Sequence, residues 1–269
     1  MYNCQSLSLL LAIIMVIILL NVPKSMFDYD EDSTESININ RLYVANNVGG
    51  GRFQLSSAIR QSNNNNNKRI GRANNNQQHR RWPNGQIPYQ ISRKLRPYRS
   101  IILQAMKQIE QNTCIRFRQR KSQQNYVKLI AGDGCHSIVG RIGNNGGVQL
   151  LSLGNGCHDI GSIIHELCHT IGLYHEHMRY DRDQYLQIQW SNIQPEMREQ
   201  FIRIPIKEYK PAHHFDYNSI MIYGSYAFSR NGRPTMLPKN HSIKLRESHF
   251  KQSLSTGDII NINAMYGCN

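Results

Sequence analysis

Apolar and polar residues alternate in several short stretches after residue 82, and this alternation predicts β-strands. In the stretch GQIPYQIS the apolar positions are Ile87, Tyr89 and Ile91, and Pro88 indicates an edge strand or the start of a strand. Three further strands are predicted at residues 114–118, 126–131 and 147–153. The last of them follows the turn sequence NNGG.

Two longer segments instead repeat their apolar residues at helical spacing. One helix is predicted over residues 97–112 and another over residues 160–173, with Asp159 as the N-cap of the second. Shorter helices are predicted near residues 194–201 and 255–265. The pattern therefore favours an α+β fold, in which a mixed sheet with two long helices comes first and an irregular half follows.

Residues 9–20 are continuously apolar, which is too short for a comfortable membrane span and typical of a signal-peptide core. We expect residues 1–22 to be a signal peptide that directs the chain to the secretory pathway and the extracellular space. No Lys or Arg precedes the apolar core and no small-x-small pattern follows it, so an uncleaved anchor is the alternative.

Residues 26–79 are polar and irregular, with the acidic stretch DYDEDSTES and a run of five asparagines at 63–67. Such a composition cannot bury enough apolar surface to fold alone. The segment is therefore either a linker or a pro-segment with a trypsin-like processing site. Basic residues cluster at its end and directly after it; they are Lys68, Arg69, Arg72, Arg80 and Arg81.

The net charge of +14 comes mostly from the chain after residue 72, which holds 25 Lys or Arg against 13 Asp or Glu. A basic surface favours acidic substrates, glycans or anionic membranes, or is simply solvated. Nucleic acid is not expected as a partner of an exported chain.

Cysteine usage fits an oxidising compartment. Cys4 would leave with the signal peptide, and an odd number of five cysteines would remain. Two disulfides with one free thiol, or an intermolecular disulfide, are both compatible with that number.

Residues that can bind a metal or transfer a proton are most concentrated in the stretch HELCHTIGLYHEHMR, residues 165–179. His165 and His169 are four residues apart on the second long helix, so they share one face and can both reach one zinc ion. A continuous helix would carry His175 about 9 Å further and onto another face. Gly172 permits the positive φ of a helix end, after which the chain can bring His175 back as a third ligand. Three protein ligands leave a coordination position open, as in catalytic zinc sites.

Glu166 points about 100° away from His165 around the helix, so it would flank the metal rather than bind it. A carboxylate in that place can take the proton from the attacking water. The fourth histidine of the stretch, His177, would close the site if it were a further ligand, but we assign it to a loop.

The spacing H-E-x-x-H-x-x-G-x-x-H is the metzincin zinc signature. With Glu176 after the third histidine, and with HEHMRYDRD at 175–183, the chain resembles the astacin family of zinc metallopeptidases. The resemblance extends to RWPNGQIPY at 81–89, LSLGNGC at 151–157, FDYNSIMIYG at 215–224 and LSTGDIININAMYGC at 254–268. It implies one catalytic domain over residues 73–269 with an astacin-like zincin fold.

The resemblance also implies roles for single residues. His165, His169 and His175 would hold one catalytic Zn2+ ion. Met221 would lie beneath the zinc in a methionine turn, and Tyr223 would donate its hydroxyl to the oxyanion. Two disulfides are implied as well, and they join Cys114 to Cys268 and Cys135 to Cys157. Cys168 would then be the odd thiol, buried and not bound to zinc.

By the same resemblance the mature N-terminus would be Ala73, directly after Arg72, and residues 23–72 would be the pro-segment. In the family the freed amino group is buried against the glutamate that follows the third histidine, here Glu176. Family pro-segments block the zinc with the aspartate of an F-x-G-D motif. This chain lacks that motif, and Asp30 in FDYD is the nearest match.

The methionine turn departs from the usual family pattern S-x-M-H-Y, because Ile222 stands in the place of the histidine. That histidine is not a zinc ligand, so we expect the chemistry to survive the change. The packing of the turn and the level of activity are what the departure puts in question.

The sequence thus predicts a secreted, Zn2+-dependent endopeptidase, made as a zymogen, that cleaves extended peptides or proteins. Its substrate would pair with the edge of the strand near residues 147–153. We expect a trypsin-like protease to activate it, and we expect a monomer without stable membrane association. A catalytically silent zinc-containing binding protein on the same scaffold and a purely structural zinc domain are the alternatives.

Overall fold

The structure, a computed structural model, describes residues 80–142 and 147–268. The predicted signal peptide, the pro-segment and the cleavage site between Arg72 and Ala73 lie outside the described residues. The helices are α1 (Arg99–Asn112), α2 (Ile160–Ile171) and α3 (Thr256–Tyr266). The strands are β1 (Gln86–Ile91), β2 (Arg116–Gln119), β3 (Tyr126–Ile130), β4 (Cys135–Ser137), β5 (Val148–Leu153), β6 (Leu186–Ile188) and β7 (Met236–Pro238).

Five strands form one mixed sheet in the order β2-β1-β3-β5-β4. The first four of these are parallel to one another, and β4 runs antiparallel to β5. Strands β6 and β7 form a separate antiparallel pair in the second half of the chain. The predicted α+β class, with a helix-and-sheet half followed by an irregular half, is confirmed.

One face of the five-stranded sheet and the two long helices share the main core. Side chains alternate between the two faces of a strand, so every second residue of each strand points to the helices. The covered face and the helices contribute Ile87, Tyr89, Val127, Leu129, Leu151, Ile102, Met106, Ile109, Ile163, Ile164 and Leu167, among other residues. The opposite, outer face of the sheet carries half-buried and exposed residues, which include Arg118 and Lys128.

The irregular half has an apolar cluster of its own, although it contains few regular elements. Its buried members are Leu186, Ile193, Phe201, Phe215, Ile222, Tyr223, Ala227, Met236 and Leu245. Burial of these side chains stabilises the loops because apolar area is removed from water whether or not the backbone is regular.

Several predicted boundaries shift for local reasons. Helix α1 begins at Arg99, because a 3-10 helix at Arg93–Tyr98 that contains Pro97 precedes it. Strand β2 starts later than predicted, because the hydroxyl of Thr113 turns the chain after α1 by hydrogen bonding to backbone groups on both sides. The helix predicted near residues 194–201 is a 3-10 helix at Pro195–Phe201.

The strand near residues 147–153 is not the edge of the sheet, so the prediction that a substrate would pair with it is wrong. Strand β5 pairs with β3 along its length, and its residues Leu151 to Leu153 also pair with β4. Strand β4 is the outer strand on this side of the sheet. With three residues, it is too short to produce a recognisable alternation in the sequence.

Each helix in the described part of the chain falls short of the length and apolarity that a membrane span requires.

Candidate metal centre

Helix α2 carries the first half of the site, and all of its residues are buried. Asp159 caps its start, as predicted, by accepting a hydrogen bond from the backbone N–H of Ser162 at 2.8 Å. Because every side of the helix is covered, His165 and His169 are removed from water together with the apolar stripe.

The chain turns back directly after α2. Gly172 has a φ of 129°, and its N–H bonds to the carbonyls of Cys168 and His169. The turn leads to His175, which is also buried and precedes a 3-10 helix at Glu176–Met178. The structure therefore brings the third histidine back to the face of the first two.

The three imidazoles meet at their Nε2 atoms. Those of His165 and His169 are 3.1 Å apart, and the Nε2 of His175 lies 3.2 Å from the first and 3.0 Å from the second. The Nδ1 atoms of His165 and His169 donate instead to the carbonyls of Ile220 and Leu173, both at 2.8 Å. A proton held at Nδ1 leaves Nε2 with its lone pair, which is the form that binds a metal.

Burial keeps these rings uncharged. It lowers the pKa of His165 to about 4, and it lowers the pKa of His169 and of His175 well below the ordinary value. Nitrogen lone pairs converging at such distances repel one another unless a cation lies between them. Tetrahedral zinc with ordinary zinc–nitrogen bonds needs nitrogen atoms about 3.3 Å apart, so the spacing fits one zinc ion. Zinc is the metal of this centre.

The carboxyl group of Glu166 is buried beside the histidines. Its Oε2 has no hydrogen-bond partner among the described residues, and burial raises its pKa well above the ordinary value. A buried carboxylate without a partner is costly next to uncharged imidazoles. A divalent cation at the Nε2 atoms would supply the missing charge, which is a second indication that the residues fit a metal.

The methionine turn is fixed from helix α3 by a buried carboxylate. Asp258 accepts hydrogen bonds from the hydroxyl of Ser219 at 2.6 Å and from the N–H of Ile220 at 2.8 Å. The carbonyl of the same Ile220 accepts from His165. Asp258 thus orients one imidazole through a single intervening residue, and it is a functional residue that the sequence analysis missed. The capping motif LSTGD, in which it stands, was the available signal.

Lys251 holds the same turn from outside, and it was also missed. Its ammonium group donates to the carbonyls of Ser219 at 2.6 Å and of Ile222 at 3.3 Å, which flank Met221 on both sides. Met221 is buried, and its carbonyl accepts from the N–H of Glu176 at 3.0 Å. The turn is therefore bound to the segment that carries the third histidine.

Tyr223 lies at the histidine cluster. Its ring centroid is 4.3 Å from that of His175 and 4.3 Å from that of His177. Burial raises the pKa of its hydroxyl well above the ordinary value, so the group remains a proton-bearing donor at neutral pH.

His177 lies in a 3-10 helix rather than in the predicted loop, and the metal-binding cluster of histidines does not include it. The residue is fully buried in the 3-10 helix after His175, and its Nε2 bonds to the carbonyl of Gln200 at 2.9 Å. Its ring centroid is 5.1 Å from that of His175. It packs behind the third ligand because the turn folds the chain under the cluster, which spacing alone does not reveal.

Glu176 is buried and already has protein partners. Its Oε1 accepts from Arg179 at 2.9 Å and from the N–H of Asp216 at 2.8 Å. Burial raises its pKa to about 8, although the positive charge of Arg179 opposes the rise. Ala73, its expected partner after cleavage, lies outside the described residues.

Ile222 is fully buried in the apolar cluster of the irregular half. An aliphatic side chain suits that environment, because an imidazole there would need a hydrogen-bond partner. The departure from the family pattern is thus accommodated by apolar packing.

Two disulfides join Cys114 to Cys268 and Cys135 to Cys157. The second of these connects the outer strand β4 to the loop before α2. Cys168 is a buried free thiol, and the metal-binding cluster of histidines does not include it.

Comparison with known proteins gives a consistent result. The family model described as Astacin (Peptidase family M12A) matches residues 74–267. Astacin-like metalloprotease toxin 1 of Loxosceles intermedia is 44% identical over 189 residues, which cover 70% of this chain and 71% of that protein. Astacin-like metalloprotease toxin 5 of Loxosceles gaucho is 48% identical over 170 residues, which cover 63% of this chain and 89% of that protein.

Among solved structures, the chain is similar to high choriolytic enzyme 1, a hatching enzyme zinc-protease from the medaka fish Oryzias latipes. The TM-score is 0.65 at 34% identity, and the match covers 72% of this chain and 97% of that one. The predicted zincin fold is therefore the observed fold.

Proposed function

The chain belongs to the astacin family of zinc peptidases, and on this premise we propose that it is a secreted endopeptidase made as a zymogen. As a member of the family it is a zinc metalloendopeptidase that acts on peptides or proteins. The observation that carries the proposed mechanism is the convergence of three uncharged imidazole nitrogens beside the unpartnered carboxyl oxygen of Glu166.

In the proposed reaction, His165, His169 and His175 hold the zinc. When bound, Zn2+ supplies Lewis-acid chemistry, polarising the scissile carbonyl and acidifying the attacking water. Glu166 accepts the proton of that water and passes it to the leaving amine as the carbon–nitrogen bond breaks. Tyr223 donates its hydroxyl hydrogen bond to the oxyanion, whose charge develops only in the transition state.

We propose that an extended substrate adds to the sheet at β4 rather than at β5. The outer strand of a sheet presents backbone donors and acceptors on its far side, and a peptide can pair with them. The disulfide between Cys135 and Cys157 ties this strand to the loop that leads into α2, and so supports a fixed distance between substrate and metal.

The proposed activation is cleavage after Arg72, which would remove residues 23–72 and free the amino group of Ala73. The buried carboxyl group of Glu176 supports this, because its raised pKa indicates that Arg179 does not fully compensate for burial. A trypsin-like protease would carry out the cleavage. We propose a monomeric, extracellular product without stable membrane association, and Asp30 is the candidate latency residue.

The test is cleavage of a quenched fluorescent peptide library by purified protein that begins at Ala73. We expect cleavage that a zinc chelator abolishes and that Glu166→Ala loses while retaining bound zinc. Zinc-loaded, folded protein that cleaves no peptide would instead support the catalytically silent binding protein. Global unfolding on chelation, again without cleavage, would support the structural zinc domain.

A further inference from the structure

Positive charge is concentrated in one part of residues 80–268. Residues 93–128 contain ten Lys or Arg and a single acidic residue, Glu110. The rest of residues 80–268 contains 15 Lys or Arg and 12 Asp or Glu, which nearly balance. Most of the excess positive charge therefore lies in 36 consecutive residues. On a basic surface that is merely solvated, the positive charges would be spread evenly along the chain.

The fold gathers this charge at one corner of the sheet. Arg93, Lys94 and Arg96 follow the carboxyl end of β1, and Arg120 and Lys121 follow the carboxyl end of β2. Strands β1 and β2 are parallel neighbours, so their carboxyl ends lie at the same edge. Four of the five side chains are exposed, and Arg120 is half-buried.

Two more cations extend the cluster over the outer face of the sheet. Arg118 is level with Pro88 of β1, and Lys128 of β3 is level with Gln90. In a parallel pair, residues at the same level point to the same face. We call these seven residues the basic corner; they are Arg93, Lys94, Arg96, Arg118, Arg120, Lys121 and Lys128. From the level of Arg118 to the end of β1 it extends about 10 Å along the strands, and Arg93 begins the 3-10 helix beyond that end.

The basic corner contains a positioned guanidinium group. Arg120 lies 3.9 Å over the ring of Tyr126, and its Nε donates to the carbonyl of Gln123 at 2.9 Å. Both contacts fix the side chain, and the bond through Nε does not engage the two terminal amino groups. Arginine held in this way loses little entropy when it binds a planar or tetrahedral anion.

Glu110 does little to neutralise the cluster. Its Oε1 accepts from the N–H of Phe117 at 2.7 Å and is 3.8 Å from Arg118, whose side chain remains 53% exposed. An exposed pair at that distance is weak and screened by salt.

The basic corner is separate from the metal centre. Within the sheet, β2 lies four strand spacings, about 19 Å, from the outer strand β4, and β3, which carries Lys128, lies two spacings, about 10 Å, from it. A ligand bound at β2 can therefore leave the proposed substrate edge at β4 open.

We propose that the basic corner binds a linear sulfated polysaccharide. A regularly sulfated chain presents anions along its length that match cations spread over adjacent strand ends. A membrane is less suitable, because the exposed large apolar side chains other than Tyr98 belong to the second half of the chain. Tyr98, which is close to the basic corner, is stacked on the ring of His158. Nucleic acid is less suitable, because Tyr126 is covered by Arg120 and cannot stack on a base, and because the two disulfides fit an oxidising compartment.

The test measures binding of fluorescein-labelled heparin oligosaccharides by anisotropy over a range of salt concentrations. The full chain carries Glu166→Ala throughout, so that self-cleavage does not interfere and the result does not depend on the proposed catalysis. The test variant is Arg118→Gln/Arg120→Gln/Lys121→Gln. The matched control is Arg198→Gln/Arg230→Gln/Arg233→Gln, which removes the same charge from exposed positions of the irregular half.

We expect the test variant to bind at least about tenfold more weakly at physiological ionic strength, and its log–log salt slope to fall by about two to three. The control should bind like the parent. An equal loss in both variants would overturn the proposal, because net charge alone would then account for binding. Equal or tighter binding of a DNA duplex, of anionic vesicles or of desulfated heparin would overturn the choice of ligand.

Discussion

Glu166 and Asp258 are both buried carboxyl groups, yet their hydrogen bonds differ. Burial raises the pKa of Asp258, and hydrogen bonds from Ser219, Ile220 and Ser255 oppose that rise. Burial also raises the pKa of Glu166, whose Oε2 has no partner within the described chain. Asp258 therefore orients the residues that donate to it. Glu166 keeps one carboxyl oxygen without a hydrogen-bond partner, and such an oxygen can accept or donate a proton.

Tyr223 tests the catalytic assignment at the residue scale. Replacement by Phe removes one hydroxyl and leaves the ring that packs on His175 and His177. We expect Tyr223→Phe to lower kcat roughly a hundredfold with little change in KM, because the lost bond forms only in the transition state. Steady-state kinetics on the peptide found with the parent enzyme measure this.

The control for that variant is its zinc content and its thermal unfolding, which should match those of the parent. An unchanged kcat, or a higher KM at constant kcat, would contradict the assignment of Tyr223 to the oxyanion.

At the scale of elements, the carboxyl end of α2 shows how the zinc helix is stopped. The last carbonyls of a helix have no partner within it. Here the carbonyls of Cys168 and His169 accept from Gly172, that of Thr170 from the indole of Trp82 at 2.9 Å, and that of Ile171 from the hydroxyl of Tyr266 at 2.7 Å. Trp82 and Tyr266, which lie near the two ends of the described chain, thus both bond to the end of α2.

Gly172→Ala tests the turn. The φ of 129° strains any side chain, and an added Cβ would lie 3.1 Å from the Sδ of Met265. We expect a loss of unfolding free energy of about 1–3 kcal/mol and weaker zinc binding, because the turn places His175. Chemical unfolding and chelator competition measure the two effects.

Gly156→Ala is the matched control. Gly156 also has a positive φ, 84°, but an added Cβ would meet nothing within 4 Å. It should lose stability and keep its zinc affinity. Equal zinc affinity in both variants would show that the turn does not position the third histidine.

Tyr266→Phe tests the attachment of α3 to α2 and predicts a pH dependence. Removal of the hydroxyl leaves the carbonyl of Ile171 without its donor, and we expect a loss of about 1–3 kcal/mol at neutral pH. Burial raises the pKa of Tyr266 to about 12, so the folded state disfavours the phenolate. The stability from this group is fully present below the unfolded value near 10 and falls as pH rises from about 10 to 12.

The parent's advantage over Tyr266→Phe should therefore shrink over that alkaline range, as urea unfolding at several pH values would show. A constant difference would mean that the hydroxyl is exposed to water in the folded state.

At the scale of the whole molecule, one disulfide spans nearly the entire described chain. Cys114, just before β2, is joined to Cys268 after α3, at a sequence separation of 154 residues. The disulfide between Cys135 and Cys157 closes a loop of only 22 residues. The longer closure restricts the unfolded chain more strongly.

Loop entropy predicts a ranking for the removal of the two disulfides. Paired Cys→Ser substitution should cost about 5 kcal/mol of unfolding free energy for Cys114–Cys268 and about 3 kcal/mol for Cys135–Cys157. Denaturant unfolding of the two double variants measures this. The reverse order would indicate that native-state packing, rather than the unfolded chain, dominates their contribution.

Features that depend on local geometry could be predicted from the amino-acid sequence. A spacing of four residues places His165 and His169 on one helix face, Asp159 caps that helix, and Gly172 ends it, because each relation involves atoms only a few residues apart. The apolar repeats likewise predicted α1, α2 and the four parallel strands, although β2 begins later than predicted.

Other features follow only from the way distant segments pack together. Packing made β4 the outer strand, buried His177 behind the third histidine, and brought Asp258 to the methionine turn from 38 residues away. It also gathered the cations of the basic corner from β2, β3 and the segments that follow β1 and β2. These relations depend on which surfaces pack together, and packing depends on the burial of side chains distant in sequence, which no local pattern records.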